Sequence, residues 1–294
     1  MKKYHYVLLF VVLGYSVFSQ SCMRMRMSDK EAKDEFTKLN IEIKTESVQL
    51  QNKKFHFVQS GLDSNPTLLF VHGSPGSWDA YKGFMQDKDL LKKYRMISID
   101  RLGFGYSEFG KSQNLWVHQQ IISEFIQKKN NGKPVYLVGH SYGGPCIVAI
   151  AAINPQLVNG IVVLAGSVSP YLEKTENWRK IFLFGATAIL APGALRPSNE
   201  ELWYLKKDLF ELEPQLAKIT CPVLIMHGTK DRLVPFENQA YLEAKLIHSK
   251  SVSKVILNEA DHFIPWSHYD TVSTSMKAFL GALDQTEIKK ADPH

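Results

Sequence analysis

Apolar residues along this chain gather into short, mostly uninterrupted runs. Ser47–Leu50, Lys54–Gln59, Thr67–Val71, Arg95–Ile99, Val135–Val138, Ile161–Leu164, Val223–Met226 and Lys254–Leu257 are rich in Val, Ile and Leu. That is the pattern of strands covered on both faces. Helical stretches separate the later runs: Trp78–Lys92, Leu115–Lys129, Tyr142–Ile153, Glu237–Ile247 and Ser267–Leu283. Alternating strand and helix predicts an α/β fold, a mostly parallel eight-stranded sheet flanked by helices. Between residues 167 and 220 no good strand appears, but Trp178–Leu190 and Leu202–Leu212 read as helices. Ser198 with Glu201 three residues on reads as a capping box opening the second. This stretch is expected to form a compact helical cap inserted between two strands, its apolar part being too short to cross a membrane.

The first residues carry a different pattern. Lys2 and Lys3 precede an almost wholly apolar run, Tyr6–Phe18, which suits a signal peptide and is short of the about 20 residues a spanning helix needs. Val17-Phe18-Ser19 offers one cleavage site. Ser19-Gln20-Ser21-Cys22 resembles a bacterial lipoprotein signal in which Cys22 receives the lipid, although Ser19 stands where an apolar residue is usual. A short uncleaved anchor is the third alternative. The chain is therefore expected to be exported, as an envelope lipoprotein attached to the membrane through Cys22 or as a periplasmic or secreted protein. The expected divisions are a signal peptide at 1–21, a charged tether or loosely packed helix at 22–45, core at 46–166, the cap at 167–220, core again at 221–284 and a tail at 285–294.

Of 294 residues, 45% are hydrophobic, enough for one large core. The formal net charge is +6, and losing Lys2 and Lys3 lowers it to +4. The remaining basic residues alternate with acids, as in Lys30-Glu31-Ala32-Lys33-Asp34-Glu35. That is a solvated face, without the basic stripe and interleaved aromatics of a nucleic-acid binder. Cys146 and Cys221 read as small buried hydrophobes.

In open α/β sheets functional groups collect at the carboxyl ends of strands, and four strand ends here are conspicuous. They lead into His72-Gly73-Ser74-Pro75-Gly76, Gly139-His140-Ser141-Tyr142-Gly143-Gly144, His227-Gly228-Thr229-Lys230-Asp231 and Asn258-Glu259-Ala260-Asp261-His262. A glycine-flanked serine between strand and helix, followed in chain order by Asp231 and His262, resembles the α/β-hydrolases, in their serine-nucleophile, esterase- or lipase-like branch. Asp100-Arg101-Leu102-Gly103-Phe104-Gly105-Tyr106-Ser107 is similar to that family's loop after the fourth strand. The resemblance spans roughly residues 46–284.

It implies Ser141 as nucleophile, His262 as general base then acid, and Asp231 as the residue that orients and balances the imidazole. It also implies an oxyanion hole from the backbone N–H groups of Ser74 and Tyr142. Trp178, Phe182, Phe184 and Trp203 are candidates to line the substrate site from the cap, or simply to pin the cap down. His72, His140 and His227 read as packing or loop hydrogen-bonding residues, Asp100 as a turn brace and Asp261 as structural. No residue set has metal-ligand spacing and no phosphate loop follows the first strand, so no cofactor is expected.

The expected reaction is hydrolysis of a small, largely apolar carboxylic ester through an acyl-enzyme. His72-Gly73-Ser74-Pro75-Gly76 also resembles the HGGPG of proline iminopeptidases, with Ser74 in place of a glycine. An iminopeptidase-like or C–C bond hydrolase is thus the alternative, and a non-catalytic binding protein is the reading from another class. The sequence does not set the oligomeric state.

Overall fold

A computed structural model describes residues 2–183 and 185–291 of the chain. Its single sheet comprises β1 (Ile43–Leu50), β2 (Lys53–Ser60), β3 (Thr67–Val71), β4 (Arg95–Ile99), β5 (Val135–His140), β6 (Gly160–Leu164), β7 (Val223–Gly228) and β8 (Val252–Leu257). The spatial order is β1-β2-β4-β3-β5-β6-β7-β8. β2 runs antiparallel to β1 and β4, and every other pairing is parallel. The helices are α1 (Lys2–Cys22), α2 (Asp29–Lys38), α3 (Leu115–Lys128), α4 (Gly143–Ile153), α5 (Leu195–Leu212), α6 (Asn238–Lys245) and α7 (Tyr269–Ala291), with shorter turns between them.

The continuous apolar runs acquire their meaning from strand geometry, since successive side chains point to opposite faces. Leu69, Val71, Ile97, Ile99, Leu137, Ile161, Val163 and Ile225 face one side, against α3, α4 and α6. Leu68, Phe70, Met96, Val138, Val162, Leu164, Leu224 and Met226 face the other, against α2, Trp78, Tyr81 and α7. Two cores therefore sandwich the sheet, and α4, directly behind β5, is buried around its whole circumference from Gly143 to Ala152.

Three elements depart from the sequence reading. The expected Trp78–Lys92 helix breaks after Met85, because Asp87 Oδ1 accepts the N–H groups of Asp89 and Leu90 and starts a new helix at Lys88. The expected cap helix at 178–190 is two 3₁₀ turns, Asn177–Phe182 and Gly185–Leu190; glycine inside a helix costs about 1 kcal/mol relative to alanine. The stretch 22–45, expected as a tether or a loosely packed helix, holds a helix that is docked on the body. A capping box between Ser28 and Glu31 opens α2, and α2 fully buries Ala32 and Phe36. Burying one such phenylalanine stabilises by roughly 1.5–3 kcal/mol, so this stretch is part of the folded body. Ahead of it, Met23 O accepts Ala194 N at 2.7 Å and Met25 O accepts Ser77 Oγ at 2.8 Å. Among the described residues no helix is long and apolar enough to cross a membrane.

Candidate active site

Ser141 is the residue after β5, at the carboxyl edge of the sheet, with φ of +55°. Few L-residues take that conformation without cause. Its N–H donates to Leu164 O at 3.0 Å, and its carbonyl accepts Gly144 N at 2.9 Å. The flanking glycines are sterically required. A Cβ on Gly139 would stand 2.3 Å from Gly143 O, and one on Gly143 would stand 2.1 Å from Val71 O. The chain thus turns from strand into helix inside a space that admits no side chain, and the serine projects from the tip. Ser141 Oγ has no hydrogen-bond partner among the described residues, so no hydrogen bond joins it to His262.

Asp231 follows β7 and His262 follows the adjacent β8, so each approaches from its own loop. His262 Nδ1 lies 2.7 Å from Asp231 Oδ2. The same carboxylate oxygen receives His227 Nε2 at 3.1 Å, while Oδ1 accepts the N–H groups of Leu233 and Val234 at 2.9 and 2.8 Å. Burial pushes the Asp231 carboxyl up, but the hydrogen bonds from His227 and His262 outweigh it and hold it well below the ordinary range. It is a permanent anion facing the ring of His262. His262 packs against His140, the residue before Ser141, whose Nε2 donates to His262 O at 2.9 Å and whose ring centroid is 4.7 Å away. Burial, then the neighbouring His262, depress His140 to about 3, so it is a neutral donor.

The loop after β3 folds over the same turn. A Cβ on Gly73 would approach Ser141 Cβ to 2.9 Å. The next residue is Ser74. Neither Ser74 N nor Tyr142 N donates a hydrogen bond among the described residues, so two backbone donors stay available beside the serine.

A family model described as the alpha/beta hydrolase fold matches residues 66–202. Over that stretch, just under half of its length, the chain is similar to the α/β-hydrolase superfamily. A Haemophilus influenzae protein named as an esterase/lipase is 31% identical over 138 residues, 47% of this chain and 46% of that one. The 2-hydroxy-6-oxononadienedioate/2-hydroxy-6-oxononatrienedioate hydrolase of Escherichia coli is 23% identical over 77% of this chain and 91% of its own length. The chain spans under half the length of two of the curated relatives it matches. Among solved structures, a membrane phospholipase A described as a bacterial virulence factor superposes with a TM-score of 0.63 at 20% identity, covering 97% of this chain and 99% of that one.

Other residues singled out in the sequence fall as follows. Asp100 braces its loop, accepting Trp78 N and Tyr106 N and facing His56 Nδ1 at 2.7 Å. Asp261 points away from His262 and accepts Phe263 N and Ser267 Oγ at the start of a short helix. Glu259 is solvent-exposed beside Lys230. Trp178, half-exposed, meets Phe182 edge-on at 6.4 Å and lies under Arg179, and Trp203 lies under Lys180. No hydrogen bond or ring contact joins these three to Ser141, Asp231 or His262 among the described residues. Phe184 and the side chain of Cys22 lie outside the described residues. Two surface clefts of about 230 and 200 Å³ open at the amino edge of the sheet, around Tyr94 and Tyr136, away from the site. Among the described residues no group of three or more His, Cys, Asp or Glu side chains could hold a metal ion.

One part of the site escaped the sequence reading. Arg101 and Glu201 are both fully buried and joined by two hydrogen bonds, Nη1 to Oε2 at 2.7 Å and Nη2 to Oε1 at 2.8 Å. The expected capping box at Ser198 and Glu201 does not form, because α5 begins three residues earlier with Ala194 at its N-cap. Ser198 Oγ instead receives Ser74 Oγ at 2.8 Å, and Glu201 receives Arg101. In the sequence Arg101 sits beside Asp100 and Glu201 beside Glu200, with nothing to pair Arg101 and Glu201 across a hundred residues.

Proposed function

We propose that this protein is a serine hydrolase of the α/β-hydrolase superfamily that cleaves carboxylic esters through an acyl-enzyme. The observation that carries the reading is the 2.7 Å contact from Asp231 Oδ2 to His262 Nδ1 beside a serine held at positive φ. Asp231 fixes the proton on Nδ1, leaving Nε2 as the base. Ser141 Oγ attacks the ester carbonyl carbon as its proton passes to Nε2, and Asp231 balances the imidazolium that results. The carbonyl oxygen becomes an oxyanion and accepts from Ser74 N–H and Tyr142 N–H, each such donor being worth about 3 kcal/mol of barrier. Collapse breaks the C–O bond, and the Nε2 proton leaves with the alcohol. Water, deprotonated by the same nitrogen, then releases the acid and restores the serine.

Ester substrates are favoured over amino-terminal peptides by the state of the cap's carboxylates. Glu173 accepts Ser167 Oγ, Glu176 and Glu200 pair with Arg179 and Arg196, and Glu201 with Arg101. Asp208 accepts Leu115 N, and Glu211 and Glu213 face Lys207 and Lys245. Five of the cap's acids are thus paired with a cation and the other two, Glu173 and Asp208, are hydrogen-bonded, which favours a substrate without an ammonium group. The names of the Haemophilus influenzae relative and the phospholipase structure point the same way.

The test is a screen of p-nitrophenyl esters of rising acyl length beside proline arylamides, with Ser141→Ala as control. Ester cleavage lost in Ser141→Ala is expected. Proline-arylamide cleavage without ester cleavage would overturn the choice of substrate class, and Ser141→Ala activity equal to wild type would overturn the nucleophile.

A further inference from the structure

The proposed oxyanion donors, Ser74 N–H and Tyr142 N–H, sit on backbone that a single side chain touches from below. Arg101 Nη2 donates to Gly73 O at 2.9 Å and Nε donates to His72 O at 3.0 Å. The guanidinium carbon lies 4.5 Å from the centre of the Tyr142 ring. His72 adds to this grip. Its Nε2 accepts the Arg101 backbone N–H at 3.0 Å, so its proton is on Nδ1, which faces Gly73 O at 2.7 Å. Burial and the neighbouring Arg101 push His72 well below its ordinary value, so the ring stays neutral in that tautomer.

The Gly73–Ser74 peptide is trans, and in a trans peptide the C=O and N–H point in opposite directions. Two donors pulling on Gly73 O therefore set where Ser74 N–H points. Arg101 is itself held by the cap, through the forked pair to Glu201 on α5, with His118 Nε2 3.3 Å from the same carboxylate. One turn earlier on α5, Ser198 receives Ser74 Oγ.

We propose that Arg101, locked by Glu201 of the cap helix, is a positioning residue for the oxyanion hole, so that seating of α5 and aim of the Ser74 and Tyr142 donors form one coupled element. A surface-directed arginine would do none of this, and a buried ion pair is weak as a stability device, since apolar replacement of both partners is often neutral or stabilising. The pair's place in the fold is explained by the peptide it holds. The inference rests on the serine-hydrolase reading, because it needs Ser74 N–H to act as a donor to the reacting oxygen.

The experiment uses the full chain in three forms: wild type, Glu201→Gln, and the double variant Arg101→Met with Glu201→Leu. Glu201→Gln strands a buried cation and can fail to fold, whereas the double variant removes both charges together and keeps the volume apolar. The readouts are thermal midpoint, the second-order rate of labelling by a fluorophosphonate, and kcat and KM on p-nitrophenyl butyrate. The folded double variant is expected to label to completion but about tenfold or more slowly, and to lose kcat by a similar factor with KM little changed, as for a mis-aimed oxyanion donor. A double variant with wild-type labelling rate and kcat would overturn the inference and leave the pair a packing feature. Wild-type protein that takes no label at Ser141 would overturn the serine-hydrolase reading, and this inference with it.

Discussion

A single oxygen of Asp231 serves two imidazoles: Oδ2 lies 2.7 Å from His262 Nδ1 and 3.1 Å from His227 Nε2. His227 Nε2 also faces Val234 O at 3.1 Å, an obligate acceptor, so His227 is a donor and helps to fix the carboxylate. The acid is thus oriented by its own strand end before His262 arrives from the neighbouring one.

Asp231→Asn should keep the fold, because the amide oxygen can still accept Leu233 N and Val234 N. It should reduce ester turnover by about 10⁴-fold, since an amide nitrogen facing Nδ1 favours the wrong tautomer. Asp261→Asn should change turnover little and lower stability by about 1 kcal/mol at most, its carboxylate being a helix-start acceptor. Turnover of both variants on one ester decides the matter: a crippled Asp261→Asn beside an active Asp231→Asn would reassign the acid.

The sheet, its strand ends and the order of Ser141, Asp231 and His262 were readable because each follows a short apolar run, and such runs are local. What could not be read locally was the use made of one repeated pattern, a serine with glutamate three residues on. At Ser28 the serine backbone N–H is free, Glu31 bonds it, and the box forms. At Ser198 the helix has already begun, Ser198 N donates to Ala194 O, and Glu201 turns inward to Arg101. The pattern is identical, and only the docking of α5 on the β3 loop separates the cases. The docking of residues 29–38 was hidden for the same reason. Ala32 and Phe36 are two apolar residues in a charged ten-residue helix, too few to show a period, yet they cover a sheet face that needs only that much.

Cys146 and Cys221 should behave as inert side chains. Burial pushes both thiols up to about 12, and neither forms a disulfide. Native protein treated with iodoacetamide near pH 8 should leave both unmodified, and the same treatment in urea should alkylate both. Rapid alkylation of either in the native state, read by peptide mass spectrometry, would contradict the packing around α4 and β7.

The expectation that Cys22 bears a lipid has its own test. Expressed in a Gram-negative host, the wild type should partition with membranes, and Cys22→Ala should move to the soluble fraction. Because Met23 is already hydrogen-bonded to Ala194 of the cap, the released variant should retain its thermal midpoint and esterase activity. A wild type found wholly soluble would instead favour cleavage near Ser19.

The Arg101–Glu201 pair also makes a prediction for acid stability. Burial pushes the Glu201 carboxyl up, but the Arg101 charge and its hydrogen bonds outweigh that and hold it down to about 2. A carboxyl whose folded pKa is depressed binds its proton more tightly in the unfolded chain. Its contribution is therefore complete above the unfolded value near 4.5 and is lost as pH falls towards about 2. Between pH 5 and pH 3 this one group should account for about 2 kcal/mol of lost stability. Asp231 and the other depressed carboxylates lose stability in the same direction, so the wild type alone cannot isolate Glu201. The double variant Arg101→Met with Glu201→Leu keeps those other groups and lacks only this pair. Urea unfolding of both proteins at pH 5, 4 and 3 should show the wild type falling more steeply, with the gap between the two curves changing by that amount. Curves that stay parallel across the window would mean that the carboxyl of Glu201 binds its proton equally well in the folded and unfolded chain, so that Arg101 does not hold it down.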